Sequence, residues 1–318
     1  MMMEEMKPLV ILTGPTAVGK TALSIELAKR INGEIISADS VQVYKGMNIG
    51  SAKIRPEETG GVPHHLIDIL EPTESFNITL FQQYAKRALE KIYANGRIPI
   101  LTGGTGFYIQ SVLYDIDFTD NGENSALRAE LEQFAQTAGA EALHARLAAV
   151  DPEAAAAIHK NNIKRTIRAL EFHELTNMRI SAHNRTQRQK TSPYRFCYFV
   201  LNDDREKVYS NIDARVDQMI EQGLVTEVSA LLEAGCTKDM VSMQALGYKE
   251  IIEALSGECT MEEAVYRIKR DTRHFAKRQL TWFRREKDVI WIEKKEYGYD
   301  SAKILERMIK DMKERKVL

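Results

Sequence analysis

An apolar strand, a glycine-rich turn and a helix follow one another near the start of the chain, and this succession limits the fold more than any other feature. It spans residues 9–23, LVILTGPTAVGKTAL. The pattern Gly14-x-x-x-x-Gly19-Lys20-Thr21 is typical of a loop whose backbone N–H groups and helix N-terminus face an anion. A plain glycine turn before a surface lysine is the weaker alternative. The pattern predicts a site for a pyrophosphate-containing ligand, and it does not decide between ATP and another compound.

The last two residues of this loop have separate roles in such a site. Lys20 brings a full positive charge to the phosphates, and the hydroxyl of Thr21 can hold a magnesium ion that bridges two of them. We therefore expect Mg²⁺ as a cofactor, with Thr21 as its candidate ligand. The predicted pyrophosphate-binding residues are Gly14, Thr16, Ala17, Gly19, Lys20 and Thr21.

Strand and helix patterns alternate over the first part of the chain. Residues 8–13 and the stretches EIISA and IPILT have the apolar character of buried strands, and residues 20–31 and 78–94 have helical patterns. Such alternation is typical of a parallel sheet covered by helices. We predict an α/β fold, a P-loop (kinase-like) parallel sheet flanked by helices.

The pattern changes in the middle of the chain, where it becomes rich in alanine with apolar residues at helical spacing. The strand-like stretch FCYFVLN then resumes the sheet. We predict a helical insertion domain over residues 116–195. The P-loop core domain is then formed by residues 1–115 together with 196–318.

Composition excludes several classes of protein. The 318 residues carry a formal net charge of −1, so any attraction for nucleic acid must come from local clusters. The three cysteines lie far apart, which predicts neither a disulfide framework nor a zinc site. No apolar run approaches the roughly 18 residues of a membrane span, and no signal-peptide pattern is evident. A cytoplasmic protein without membrane contact is expected.

Polar residues follow the second predicted strand, in the segment ADSVQVY at residues 38–44. The carboxyl ends of neighbouring parallel strands meet at one crevice, so Asp39 should lie near the phosphate loop. Its carboxylate could bind magnesium, orient a nucleophile or accept a proton, or it could only cap a turn, and its position leaves these roles open. Gln42 carries the carbonyl and amide that can pair with adenine, a weak signal by itself.

The stretch IPILT continues into TGGTG at residues 102–106, where an ATPase would commonly place a magnesium-binding aspartate. Small residues suit a narrow passage for a planar group, and Thr105 offers a hydrogen bond, although a plain glycine turn fits equally well. The missing carboxylate weakens an ATPase interpretation. It does not exclude one, because Asp68 could serve the metal instead.

Basic residues cluster in two places remote from the loop. Lys164, Arg165 and Arg168 share one face of a predicted helix, opposite Ile163, Ile167 and Leu170. The second cluster is VYRIKRDTRHFAKRQLTWFRREK at residues 265–287, with Val265, Ile268, Phe275 and Trp282 as its predicted apolar stripe. Such one-sided charge in a nearly neutral chain favours phosphate contacts over an ordinary solvated face.

Ordered motifs along nearly the whole chain carry a resemblance to one family. They are GPTAVGKT, DSVQVY, GGTGFY, NNIKRTIRALE, NIDARVDQMIEQGLVTEV, ALGYKE and AKRQLTWFRR. On these motifs the chain resembles the bacterial tRNA dimethylallyltransferases. The resemblance implies transfer of a dimethylallyl group from dimethylallyl pyrophosphate to N6 of adenosine 37, in tRNAs that read codons starting with U. The phosphate loop would then hold an isoprenoid pyrophosphate, and the enzyme is expected to work as a monomer.

The same resemblance implies roles for individual residues. Asp39 corresponds to the family's general base, and Lys20, Thr21 with magnesium, and Arg215 would hold the charge of the departing pyrophosphate. Thr105 would contact the target adenosine or the leaving group, and Ser40 and Gln42 would hold the adenine. The catalytic set is Asp39, Thr105, Lys20 and Arg215. The tRNA-binding set, for an anticodon stem-loop, is Asp39, Ser40, Gln42, Thr105, Arg128, Asn161, Lys164, Arg165, Arg168, Arg278 and Gln279.

Three other classes of protein remain open on the sequence. An ATP-dependent small-molecule phosphotransferase would use the phosphate loop and Asp39, but it would not need the basic helices. An isopentenyltransferase acting on free adenine nucleotides would share the donor site and lack the remote basic surface. A non-catalytic RNA-binding module would leave the phosphate loop unexplained.

Overall fold

The structure is a computed structural model, and it describes residues 6–118 and 125–318. Within these ranges, six strands form one parallel sheet. They are β1 (Lys7–Thr13), β2 (Gly33–Ala38), β3 (His64–His65), β4 (Ile98–Gly103), β5 (Tyr194–Asn202) and β6 (Val289–Glu293). Their order in the sheet is β3-β2-β4-β1-β5-β6. The predicted α/β fold with a parallel sheet is confirmed.

Helices connect and cover the strands. Those before β5 are α1 (Lys20–Ile31), α2 (Ile78–Ala94), α3 (Gly106–Leu113), α4 (Ser125–Val150), α5 (Pro152–Ala157), α6 (Ile163–Thr176) and α7 (Ile180–Arg188). Those after β5 are α8 (Arg205–Glu221), α9 (Leu224–Glu233), α10 (Tyr248–Leu255), α11 (Met261–Phe283) and α12 (Ser301–Glu314). The predicted helices over 20–31 and 78–94 match α1 and α2, and the two-residue strand β3 was not predicted.

The central strand β1 explains where a ligand can bind. Residues 9–12 of β1 are fully buried, as expected for a strand covered by helices on both faces. At its carboxyl end Thr13 pairs in register with Gly103 of β4 and with Val200 of β5. In the strand order, β2 lies to one side of β1 and β5 lies to the other side. The loop after β1 therefore lies at the switch point where open α/β sheets bind ligands.

The described chain divides into two compact units. One ends at Leu113 and resumes from Ser192 to Leu318, and the other is Tyr114–Thr191. The sequence instead predicted the core to end at 115 and resume at 196. The core unit resumes earlier than predicted because β5 already begins at Tyr194, two residues before the apolar run that marks this strand in the sequence.

The helical unit has a hydrophobic core of its own. It includes Leu131, Leu143, Leu147, Ile167 and Leu170. Asp151 joins two of its helices, because one carboxylate oxygen caps the start of α5 at the Ala154 N–H and both oxygens accept hydrogen bonds from Ser181. The prediction that Ile163 shares the buried side of α6 is wrong, since Ile163 is exposed in the first turn of that helix.

The apolar side of α11 also differs from its prediction. The buried residues are Ala264, Ile268, Ala276, Gln279 and Phe283. Of the predicted stripe, only Ile268 is among them. Ala276 and Gln279 take the buried positions closest to the loops of the sheet. Among the described residues, no helix is both long and apolar enough to cross a membrane.

Candidate functional site

The turn between β1 and α1 has a backbone that few residues can adopt. Gly14 has φ 146°, and a Cβ at this position would stand 2.2 Å from the backbone oxygen of Leu201. Ala17 and Gly19 also have positive φ angles, of 62° and 96°. Such left-handed conformations turn successive N–H groups toward one side of the loop. The glycine pattern read from the sequence therefore has a steric cause in the structure.

Hydrogen bonds hold the phosphate loop mainly through its carbonyl groups. Lys20 Nζ donates to the carbonyl oxygens of Gly14 and Pro15, at 2.9 and 2.7 Å. Asn211 of α8 donates to the carbonyl oxygen of Ala17. Within the described ranges, the backbone N–H groups of residues 17–19 have no acceptor. Unpaired N–H groups at the start of a helix are the donors that an anion requires.

Two cations lie together at this loop. Burial and, to a smaller extent, the charge of Arg215 lower the pKa of Lys20 to about 7, against the opposing effect of Asp39. Burial also lowers the pKa of the half-buried Arg215 guanidinium. In the described part of the chain Arg215 has no ion-pair partner. Two half-buried cations close to each other are suited to a polyanion.

Asp39 both caps a turn and retains a free oxygen. Its Oδ1 atom accepts hydrogen bonds from the backbone N–H groups of Val41 and Gln42, at 2.8 and 3.2 Å. Its other oxygen has no hydrogen-bond donor in the described residues. The charge of Asp39 raises the pKa of Lys20 and of the buried Tyr108, so the carboxylate lies near both the phosphate loop and α3. The turn-capping role and a chemical role, which the sequence left open, are therefore compatible.

The side chain of Gln42 is already engaged within the protein. Its Oε1 atom accepts a hydrogen bond from Ser37 Oγ at 3.0 Å, and its Nε2 atom donates to the carbonyl oxygen of Ser51 at 3.2 Å. Gln42 thereby fixes the segment after β2 to the following loop. Contact with an adenine stays a prediction, and it would require these bonds to be exchanged or shared. Ser40 is exposed.

The glycine-rich turn after β4 lies beside Asp39. The N–H of Thr105 approaches the carbonyl oxygen of Ala38 at 3.4 Å, and Thr105 itself is half-buried at the start of α3. A Cβ on Gly106 would stand 2.2 Å from the indole of Trp282. Gly106 therefore allows α11 to pack closely against this turn, and the pairing of β2 with β4 brings Thr105 and Asp39 to the same edge of the sheet.

Gln279 has a position that the sequence did not indicate. It was predicted to bind tRNA beside Arg278, but its side chain is buried, at 5 % exposure. Its Oε1 atom accepts the N–H of Thr16 at 2.9 Å, and its Nε2 atom donates to the carbonyl oxygen of Gly104 at 3.0 Å. Gln279 therefore connects the phosphate loop with the glycine-rich turn, and Arg278 alone of this pair is exposed.

The residues around the phosphate loop are compatible with a bound magnesium ion, the cofactor that the sequence predicts. Thr21 is exposed at the start of α1, where its hydroxyl is available. Within the described ranges no cluster of three or more acidic, histidine or cysteine side chains could hold a metal ion by itself. Asp68, the alternative ligand, pairs with the buried Lys53 at 2.6 Å. Magnesium commonly takes few protein ligands and completes its shell with phosphate oxygens and water, so this donor set fits a substrate-bound ion.

The basic residues of α11 fall into two groups. The first group pairs with acidic side chains: Arg267 with Glu253 and Glu263, Lys269 with Asp217, Arg270 with Asp271, and Arg273 with Asp213. The second group, at and beyond the carboxyl end of the helix, has no ion pair in the described chain and is exposed: Lys277, Arg278, Arg284 and Arg285. This second group, which we call the unpaired α11 cluster, offers free charge to a partner.

The helical unit presents the basic face that the sequence predicted. Lys164, Arg165 and Arg168 are exposed on α6, opposite the buried Ile167 and Leu170. Asn161 is exposed just before the helix. Arg128 differs, because its guanidinium makes two hydrogen bonds to the buried Glu171, at 2.9 and 2.8 Å. Its predicted contact with tRNA would therefore compete with a buried ion pair.

A parallel sheet with a phosphate loop at its switch point defines a P-loop α/β protein. Residues 42–286 match the family model described as IPP transferase, and the chain belongs to this family. A curated relative from Lachnoclostridium phytofermentans, named tRNA dimethylallyltransferase, is 61 % identical over 98 % of this chain and 100 % of its own length. The family suggested by the sequence motifs is confirmed.

Solved structures support the same relationship. The full-length tRNA isopentenylpyrophosphate transferase from Bacillus halodurans is 44 % identical, covers 98 % of both chains and has a TM-score of 0.73. A eukaryotic dimethylallyltransferase described as acting on tRNA is 28 % identical over 90 % of this chain and 74 % of its own, with a TM-score of 0.78.

Proposed function

We propose that this chain transfers the dimethylallyl group of dimethylallyl pyrophosphate to N6 of adenosine 37, in tRNAs that read codons starting with U, and releases pyrophosphate. Family membership supports the transferase activity on tRNA. The observation that carries the donor assignment is the pair of neighbouring cations, Lys20 and Arg215, with the acidic Asp39 near Lys20. Two cations suit a pyrophosphate, and the carboxylate suits the acceptor amine.

Charge on the leaving group determines the donor half of the reaction. The bond between C1 and oxygen breaks, and its electron pair goes to the pyrophosphate. The unpaired N–H groups of residues 17–19 and the cations Lys20 and Arg215 stabilise that charge as it develops. Thr21 would hold magnesium, which supplies further neutralisation of the pyrophosphate when bound.

The acceptor half requires a proton to be removed. The N6 lone pair of adenine is delocalised into the ring, so the amine is a weak nucleophile. As the bond from N6 to C1 forms, the proton on N6 passes to the oxygen of Asp39 that is free of hydrogen bonds. Ser40, Gln42 and Thr105 would orient the base.

The target base must leave its stack to reach a crevice of this kind. The exposed cations of α6 and the unpaired α11 cluster are suited to the phosphates of an anticodon stem-loop, with Asn161 and Arg128 as further contacts. In this proposal the enzyme acts as a cytoplasmic monomer with magnesium.

The first experiment supplies the protein with magnesium, labelled dimethylallyl pyrophosphate and one of two acceptors. An anticodon stem-loop containing A37 should take the label, and free AMP should not. A matched stem-loop with A37 replaced by G controls for labelling elsewhere. Label on AMP would contradict the acceptor assignment, and label on neither acceptor would contradict the donor assignment.

A further inference from the structure

A lysine outside the matched family segment contacts the phosphate loop. Lys294 directly follows β6, and its Nζ atom donates a hydrogen bond to the carbonyl oxygen of Val18 at 3.1 Å. The same Nζ atom lies 3.6 Å from the position that a Cβ on Gly19 would occupy. Its side chain is 21 % exposed. Lys294 is therefore a second lysine at the loop, on the side of its carbonyl groups.

A buried carboxylate stands on the other side of this ammonium group. The side chain of Asp203, after β5, is 1 % exposed, and its Oδ2 atom lies 3.9 Å from Lys294 Nζ. Its Oδ1 atom accepts hydrogen bonds from the N–H of Asp204 and the hydroxyl of Tyr299, at 2.8 and 3.2 Å. Oδ2 is buried without a hydrogen-bond donor in the described residues. Asp203 is thus a fixed negative charge that retains Lys294 against the loop.

The planarity of the peptide bond connects this contact to the anion site. The carbonyl of Val18 and the N–H of Gly19 belong to one trans peptide unit, so they point in opposite directions. A side chain that donates a hydrogen bond to the Val18 carbonyl from outside the loop therefore directs the Gly19 N–H toward the inside of the loop. Hydrogen bonding to the carbonyl also polarises the peptide and strengthens its N–H as a donor.

Asn211 makes the equivalent contact one residue earlier. It donates to the carbonyl oxygen of Ala17 at 3.3 Å, and this peptide unit carries the N–H of Val18. Neighbouring N–H groups of the loop are thus oriented from outside by two side chains from different elements. These N–H groups cannot also stabilise the loop through internal hydrogen bonds, because they must stay available to the ligand.

We propose that Lys294 is a positioning residue for the pyrophosphate site. Held by Asp203, it orients the Gly19 N–H through the shared peptide unit and adds positive charge at the loop. This inference rests on the proposed function, because it assumes that the loop binds a pyrophosphate. It concerns a residue beyond the segment 42–286 that the family model matches.

The test measures binding of inorganic pyrophosphate with magnesium by calorimetry, together with steady-state kinetics of the full chain. Lys294→Met should weaken pyrophosphate binding and raise KM for the donor by roughly tenfold, the loss of one charge-assisted hydrogen bond. The KM for tRNA should not change. Lys294→Arg, which keeps the charge and a donor, should recover most of the affinity.

Lys295 is the matched control. It is the next residue, carries the same charge, is 69 % exposed and pairs with Asp204. Lys295→Met should bind pyrophosphate like the unaltered protein. Asn211→Ala should weaken binding in the same direction as Lys294→Met, and Lys294→Gln carries the test of Lys294 if circular dichroism shows that Lys294→Met is unfolded.

The outcomes separate this inference from the proposed function. If Lys20→Ala loses pyrophosphate binding while Lys294→Met and Asn211→Ala keep it, the positioning role is overturned and the donor site stands. Equal losses in Lys294→Met and Lys295→Met would also overturn it, since only net charge would matter. If the unaltered protein binds no pyrophosphate, both proposals fail.

Discussion

The expected functions of the phosphate loop and of helix α11 both depend on positive charge, but the charged side chains have different surroundings in the two regions. At the loop, Lys20 and Arg215 are half-buried and act on each other electrostatically, and the pKa of Lys20 falls to about 7. On α11, the cations of the first part are neutralised by acidic neighbours, and the unpaired α11 cluster faces solvent. Two half-buried charges close together thus suit an anion site, whereas exposed charges are available to a partner only where no neighbour has already paired with them.

The largest effect should come from Asp39, the acidic group that the proposed reaction uses as a base. Asp39→Ala should lower kcat by roughly a hundredfold or more, because the N6 proton loses its acceptor. Binding of tRNA should remain nearly intact, as measured by filter binding. Unchanged turnover would remove Asp39 from the chemistry and leave it only the turn-capping role.

Removing a buried cation should affect the donor more than the acceptor. Lys20→Ala should raise KM for dimethylallyl pyrophosphate by roughly tenfold to a hundredfold, because in the proposed reaction the charge of Lys20 stabilises the pyrophosphate. The KM for tRNA, measured in the same assay, is the internal control. Normal donor kinetics would show that the loop's N–H groups suffice without this charge.

The lowered pKa of Lys20 predicts a pH dependence. Below pH 7 the free site carries the full charge of Lys20, and as pH rises above about 7 the free lysine loses its proton. The donor binds the protonated form, so donor KM should increase with pH above 7 and proton uptake should accompany binding there. Calorimetry in buffers of different ionisation enthalpy measures that uptake. A donor affinity that is flat from pH 7 to 9 would contradict the shift.

Exposed charge on the helical unit should act on tRNA alone. Arg165→Ala with Arg168→Ala should weaken tRNA binding severalfold and reduce the slope of log K against log salt by about 2, one for each lost phosphate contact. Donor binding should not change. If the salt slope is unaltered, these arginines belong to an ordinary solvated face.

The smallest effect tests the contrast within α11. Arg278→Ala should lower the salt slope for tRNA by about 1, whereas Arg270→Ala should leave it nearly unchanged because Arg270 already pairs with Asp271. Both variants lose one formal charge from the same helix. Equal changes in slope would mean that overall charge, and not pairing, determines tRNA binding.

Much of the fold could be predicted because it depends on local rules. The helices over 20–31 and 78–94 follow from apolar spacing and from helix-ending residues such as Asn32, which adopts a left-handed conformation. The glycine pattern of the phosphate loop likewise reflects backbone angles that a sequence can reveal. The unpredicted parts were the short strand β3, which has no pattern of its own, and the buried side of α11, which depends on its neighbours.

The candidate site shows the same division. Asp39 and Thr105 follow adjacent strands, so a parallel sheet brings them together, and the sequence was sufficient to expect this. Their chemical roles stay predictions. For the candidate tRNA-binding residues, the sequence could identify cations but not their partners. Arg128 and Arg278 looked alike in the chain, yet the first is engaged by buried Glu171 and the second is free of ion pairs in the described residues.

The sequence by itself determined the parallel α/β fold, the phosphate loop and the family, because these depend on periodicity, glycine spacing and ordered motifs. Only the tertiary structure decided how the loop is held in shape. Gln279, Asn211 and Lys294 reach it from 263, 194 and 276 residues away along the chain. No local pattern marks such residues, since their partners are backbone groups, which every residue has, and only folding brings the two together.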